Sequence, residues 1–246
     1  MRDTRVKYNG TVLNDIFKIA DIRRSSPEFS IESMQVDGAD GEVFEALTVA
    51  PHEVVMTAMA VGNTSAALQR KIRKLMDVLN VKRPRKLVIA DEKDDDGNQL
   101  YRLAVPSGTF DIEQVMRAGR LELTFRQLDP YLYGKERSVV LTAGVTKKIR
   151  TGGNAPTWPV AVAKFGSAAQ MYQIRDMAAN GDYVTFRGSF TSSTTLTLDA
   201  KRQKVTQSGG SYGTGIVPGS RFFALDGEMS IAATAKTTLS WTERWL

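Results

Sequence analysis

Leu121-Glu122-Leu123-Thr124-Phe125-Arg126-Gln127-Leu128-Asp129-Pro130-Tyr131-Leu132-Tyr133-Gly134 is the stretch on which the reading of this chain turns. Its first half alternates. Leu121, Leu123 and Phe125 face one way, and Glu122, Thr124 and Arg126 the other, which predicts a strand with one face on a core and one in water. Pro130 ends it, because proline has no amide hydrogen to donate and biases Asp129 away from helix. Tyr131, Tyr133 and Gly134 then form a rigid, aromatic-capped exit. The stretch is expected to be the last strand of a first domain, residues 1–134, followed by a second domain, residues 135–246.

Working back from that strand, residues 53–61 carry apolar side chains on both faces, which predicts a central strand buried on two sides. A helix follows. Asn63, Thr64 and Ser65 are each able to cap its start, and Leu68, Ile72, Leu75, Met76 and Leu79 fall at helical spacing as one apolar stripe. Pro84 closes the segment. Earlier, the run from Arg5 to Tyr8 enters an Asn9-Gly10 turn. Residues 29–36 and 43–49 read as strands around Asp37-Gly38-Ala39-Asp40-Gly41. Later, Leu87-Val88-Ile89 and Leu100 to Val105 flank the acidic run Asp91 to Asn98, predicting a long hairpin arm.

Beyond Gly134 the chain is rich in Thr, Ser, Gly and Ala, with short alternating runs at 158–165, 171–175, 183–186, 195–198, 222–225, 229–232 and 237–245. Short strands without helices predict a β-sandwich. The net charge of +6 sits in this half. Through Gly134, 19 Lys+Arg meet 20 Asp+Glu, and beyond it 14 meet 7.

Composition excludes several chemistries. With no cysteine there are no disulfides, thiolate zinc sites or cysteine nucleophiles, and His52 is the single histidine. No apolar run approaches the ~18 residues of a membrane span, and no secretory signal follows Met1. A soluble protein made in a cytoplasm, with no membrane partner, is expected.

Each candidate site has a plainer reading. His52 follows Pro51 at a strand start and reads as a surface or strand-end residue. Glu92, Asp94, Asp96 and Gly97 imitate a calcium loop, but Leu103 then occupies the place of its bidentate Glu, so a solvated hairpin tip is expected. The glycine-rich run from Gly209 to Gly215 precedes Val217-Pro218-Gly219, which forbids the helix that a phosphate-cradling loop requires. Lys71, Arg73, Lys74, Lys82, Arg83, Arg85 and Lys86 cluster around the helix end, without interleaved aromatics for base stacking. They predict a solvated face or subunit contact and no specific nucleic acid. Trp158, Tyr212, Phe222, Trp241 and Trp245 are candidates for a sugar site, against the simpler role of core. No catalytic, cofactor-binding or metal residue is expected, and no cofactor.

Several short motifs, in this order, resemble the siphophage distal tail protein (Dit) family of tail hubs. They include Tyr8-Asn9-Gly10, Asp21-Ile22-Arg23-Arg24, Asp40-Gly41-Glu42-Val43-Phe44, Arg85-Lys86-Leu87 after the helix, and Leu123-Thr124-Phe125 through Asp129-Pro130-Tyr131. Gly153-Asn154-Ala155-Pro156-Thr157-Trp158-Pro159, Leu198-Asp199-Ala200, Phe222-Phe223-Ala224-Leu225 and Ser240-Trp241 to Leu246 complete the set. The resemblance implies a mainly β protein of the virion. Its first domain would be sandwich- or split-barrel-like, with one helix and a β-hairpin arm, and its second a galectin-like β-sandwich. It implies a non-enzymatic homo-hexamer ring joining the major tail tube protein to a tail-tip (tail-associated lysin or fibre) protein, with receptor-binding proteins as possible outer partners. A cell-surface carbohydrate-binding module and a tail-tip hydrolase are the alternative classes. The arm at Leu87 to Val105 and the basic helix end are expected at subunit or tube contacts.

Overall fold

The computed structural model describes residues 4–38, 40–108, 112–115, 118–208, 210–211 and 215–246. The chain is mainly β, with one α-helix among the described residues. It divides into two compact units, one running to Leu132 and the other Tyr133–Trp245.

In the first unit the strand Ala118–Gln127 is central. It pairs along its whole length with His52–Val61, from Ala118 opposite Val61 to Gln127 opposite His52. Its other edge is shared by Arg102–Ser107 and Ile112–Val115. Leu121, Leu123, Phe125 and Gln127 are buried, and Glu122 and Arg126 are exposed, as the alternation predicts. Among the described residues eight strands make the sheet, which ends at Thr11–Val12 on one side and Lys18–Arg24 on the other. The Asn9-Gly10 turn has both residues at positive φ, 48° and 85°, as a tight hairpin turn requires.

The helix spans Ser65–Leu79. Of the three candidate caps, Thr64 is the one used, its hydroxyl accepting from the Ala67 amide at 3.1 Å. Leu68, Leu75 and Leu79 are buried in the same core as Val54, Met56, Leu123 and Phe125. Fully burying each leucine contributes roughly 1.5–3 kcal/mol. Tyr8 stacks at a tilt on Phe125, with centroids 4.8 Å apart, and its hydroxyl donates to the Ala104 carbonyl at 3.2 Å.

Two expectations fail here. Residues 53–61 are not buried on both faces. His52–Val61 lies next to the edge strand Lys18–Arg24; Val54, Met56, Ala58 and Ala60 are buried, while Met59 is 45% exposed. The second failure concerns the arm. Arg85–Ile89 and Arg102–Ser107 belong to the sheet, and the acidic turn between them is anchored at its base while Asp95, Asp96 and Gly97 at its tip are exposed. Glu92 pairs there with Arg102 and Arg24, and Leu100 is buried. The free-standing hairpin is instead Phe29–Gln35 with Glu42–Val49, a separate two-stranded sheet.

The second unit is a sandwich. Leu132–Leu141, Lys236–Trp245, Val160–Lys164, Thr195–Asp199, Lys204–Gln207 and Gly210–Ser211 form one sheet; Lys147–Arg150, Glu228–Ala233, Ala169–Asp176 and Tyr183–Phe190 form the other. Both contribute to one core, where Phe165 stacks on Phe190 at 4.4 Å and meets Tyr172 edge-on. The predicted strand at 222–225 is a loop with a single bridge, Thr157 to Leu225, because its apolar side chains fill a gap in the core and its backbone joins no ladder.

Candidate assembly surface

A hairpin that builds no core of its own is the feature most in need of an explanation. Gly38 and Gly41 bound its turn at φ of 82° and 85°. Pairing then runs from Gln35 opposite Glu42 back to Phe29 opposite Val49, with one bulge between Glu32 and Ser33. The register puts Phe29, Ile31, Leu47 and Phe44 on one face, where they are 53%, 66%, 53% and 62% exposed, and pairs Met34 with Val43, also exposed, on the opposite face. Contiguous exposed apolar surface of this kind marks an interaction site in a soluble protein. Every residue of Phe29–Gln35 is exposed.

Charge sharpens the picture. Between Glu28 and Glu45 lie six carboxylates, Glu28, Glu32, Asp37, Asp40, Glu42 and Glu45, and no lysine or arginine occurs from Ser25 to Gln69. This blank in the basic residues was the signal in the sequence for a special segment. Alternation alone does not reveal it, because an apolar face reserved for a partner has the same pattern as one reserved for a core.

The candidate residues for chemistry are placed elsewhere. His52 is buried. Arg102 Nη1 lies 3.0 Å from its Nε2 and donates to Gln127 Oε1 at 2.9 Å, and Gln127 in turn donates to the Tyr131 carbonyl. A guanidinium only donates, so Nε2 accepts and the proton of the neutral ring sits on Nδ1, which is buried with no hydrogen-bond partner. Burial pushes the His52 pKa below its ordinary 6.5, and Arg102 adds to the fall; Glu92 and Gln127 oppose it by less. This is a structural knot at the exit of the first unit. The expectation of a surface or strand-end histidine is right about position and wrong about exposure. Asp94, whose carboxylate accepts from the Asn98 amide at 2.6 Å, closes a local turn in place of a calcium loop. Among the described residues no group of three or more His, Asp or Glu side chains gathers as metal ligands. No helix there is long and apolar enough to cross a membrane.

Of the aromatic set, Trp241 is buried, its indole donating to the Thr151 carbonyl at 2.7 Å, and Phe222 packs on the sandwich core. Trp245 Nε1 is buried too, and Trp158 is 37% exposed. Tyr212 lies outside the described residues, as do Gly209, Gly213 and Thr214 of the glycine-rich run. The basic cluster is solvated at Arg73, Lys74, Lys82, Arg83, Arg85 and Lys86, with Lys71 half-buried. Lys86 sits 4.0 Å above the Tyr101 ring.

Comparison with known proteins adds three findings. Residues 8–126 match the model of the phage tail protein RIFT-related domain, and residues 152–245 that of the siphovirus-type tail component, C-terminal domain. The solved Dit protein of phage SPP1, described as a paradigm of the hub adsorption apparatus in phages infecting Gram-positive hosts, is similar at a TM-score of 0.82 and 19% identity, with 99% of each chain covered. A chain of the phage p2 baseplate in its activated, strontium-bound conformation is similar at a TM-score of 0.55 and 8% identity, with 98% of each chain covered. No curated protein sequence matches the chain.

Proposed function

This chain belongs to the siphophage distal tail protein family and is a component of the phage tail hub, and on that premise we propose that six copies close into a ring joining the tail tube to the tail-tip protein. In this reading the first domain, residues 1–134, builds the ring. The second, residues 135–246, faces outward, where receptor-binding proteins attach during host adsorption. The protein works by docking and carries out no catalysis.

The observation that carries the proposal is the hairpin Phe29–Val49, whose apolar face is left in solvent. A monomer keeps such a surface only at the risk of aggregation. A ring gives it a partner, because a head-to-tail interface that closes repeats the same contact around an axis.

The test uses the hairpin's own closure. The Ala50 amide donates to the Glu28 carbonyl at 2.9 Å, so its two ends already meet. Replacing residues 29–49 by two glycines is expected to leave the sheet folded and to abolish the hexamer mass seen by light scattering and native mass spectrometry. Hexamers that survive the excision would overturn the reading.

A further inference from the structure

The ring reading makes no use of the charge that the second unit carries, 14 Lys+Arg against 7 Asp+Glu beyond Gly134. Independently of the ring, we infer that the outer face of the sheet made by Lys147–Arg150, Glu228–Ala233, Ala169–Asp176 and Tyr183–Phe190 is a binding track for a linear phosphodiester polymer.

The face follows from alternation. Ile149, Tyr172, Ile174, Val184, Phe186 and Ile231 point into the sandwich core. Lys148, Arg150, Arg175 and Arg187 therefore point outward, and all four are exposed. The register sets them in line. Arg187 lies opposite Met171, Arg175 between Ala232 and Tyr183, Lys148 opposite Ser230, and Arg150 opposite Glu228. They form a diagonal roughly 30 Å long across the sheet, with successive cations roughly 7–14 Å apart at ordinary strand spacing. Among the described residues Lys148 alone of the four has an ion pair, at 3.8 Å with Glu228. The other acid of these strands, Asp176, alternates to the inner side, where its carboxylate accepts from the Ala178 amide at 3.2 Å.

The spacing selects the ligand. A compact anion meets one of these cations at a time, so only a chain of anions engages all four. A guanidinium holds a phosphate through paired N–H donors, and three of the four cations are arginines. Met171, Met177 and Tyr183, 48%, 41% and 38% exposed, lie beside the cations and offer apolar contact to the links between charges. Between Arg175 and Arg187 the floor is polar: the Gln173 amide donates to the Thr185 hydroxyl at 2.8 Å. Tyr183 is the one exposed ring on these strands, whereas a nucleic acid stacks its bases on a series of rings. The repeating unit is therefore phosphate joined by short aliphatic links.

Calorimetric titration of the full-length protein with poly(glycerol phosphate) tests this, with poly-L-glutamate as the stand-in for an acidic protein. Poly(glycerol phosphate) is expected to bind, and to bind more weakly as salt is raised, because neutralised phosphates release counterions. Arg175→Glu with Arg187→Glu is expected to weaken binding roughly tenfold or more. Lys164→Glu with Lys236→Glu makes the same change in net charge on the outer face of the other sheet, where these two lysines lie opposite each other. That pair is expected to leave the affinity within about twofold, since screening confines surface charge to its neighbourhood. All four positions are exposed, and thermal melts check that each variant is folded. Three results would each overturn the proposal: no binding of poly(glycerol phosphate), equal losses in the two charge reversals, or tighter binding of poly-L-glutamate.

Discussion

Arg102 Nη2 donates to Glu92 Oε1 at 2.6 Å, with the two side chains 8% and 9% exposed. Arg102 also touches His52 and Gln127, and Arg24 Nε reaches the same Glu92 oxygen at 2.9 Å. This pair anchors the base of the turn between the sheet strands Arg85–Ile89 and Arg102–Ser107.

Removing one partner is therefore expected to cost far more than removing both. Glu92→Gln leaves a buried guanidinium short of its counter-charge, a loss of about 3–5 kcal/mol. Glu92→Met with Arg102→Met is expected to recover part of it, since the buried charge pair is gone and the remaining cation, Arg24, is 32% exposed and keeps Asp91 as a partner. Urea denaturation of Glu92→Met, Arg102→Met and the double variant measures the coupling.

His52 adds a pH dependence to the same knot. Its folded pKa is lowered from 6.5 by burial and by Arg102. Above pH 6.5 the ring is neutral in both states and stability is unaffected. As pH falls below 6.5 the unfolded chain takes the proton more readily than the folded one, so stability falls, by at most about 1.4 kcal/mol per pH unit for one proton. Thermal melts between pH 5 and 8 are expected to show this slope in the wild type and a flatter one in His52→Phe.

Much of this architecture was legible beforehand, and where it was not the reason is physical. Leu121, Leu123 and Phe125 declare their strand by alternation, and Leu68, Leu75 and Leu79 their helix by spacing, because both patterns follow from local geometry. Glu92 looks in sequence like one more solvated acid of the Asp91–Asn98 run. Only the fold brings it to Arg102, so the acidic turn was mistaken for the arm. Phe29, Ile31 and Leu47 differ in the opposite sense: they read as ordinary strand positions, and the alternation does not say that their side chains stay in solvent. The proposed assembly surface was visible only as an absence, the missing lysines and arginines.

In the second unit, Gly153 sits at φ 78° against the backbone of Arg244, and Gly152, at φ 70°, against the Glu243 carboxylate. Glu243 is 1% exposed and pairs with Arg137. Gly153→Ala would drive its methyl into the Arg244 carbonyl in a backbone region that disfavours L residues, a loss of roughly 2–4 kcal/mol. Gly144 also has positive φ, 72°, but open space around it, so Gly144→Ala is expected to cost only about 1 kcal/mol. Comparing the two melts separates steric conflict from backbone preference.

The hairpin makes the converse prediction. Ile31 and Phe44 are 66% and 62% exposed, so in an isolated copy they contribute little to folding. Ile31→Ser with Phe44→Ser is expected to change the free energy of unfolding by less than about 0.5 kcal/mol, as surface substitutions do. The same pair should abolish the hexamer in light scattering, because the apolar area those side chains would bury in a second copy is gone. Leu123→Ala, in the core at 1% exposure, is expected to behave in the opposite way. It should cost about 2–5 kcal/mol of stability while leaving the assembly state of the folded fraction unchanged. Were the serine variant to lose stability as Leu123→Ala does, the hairpin would be part of the fold of its own copy and no docking surface at all.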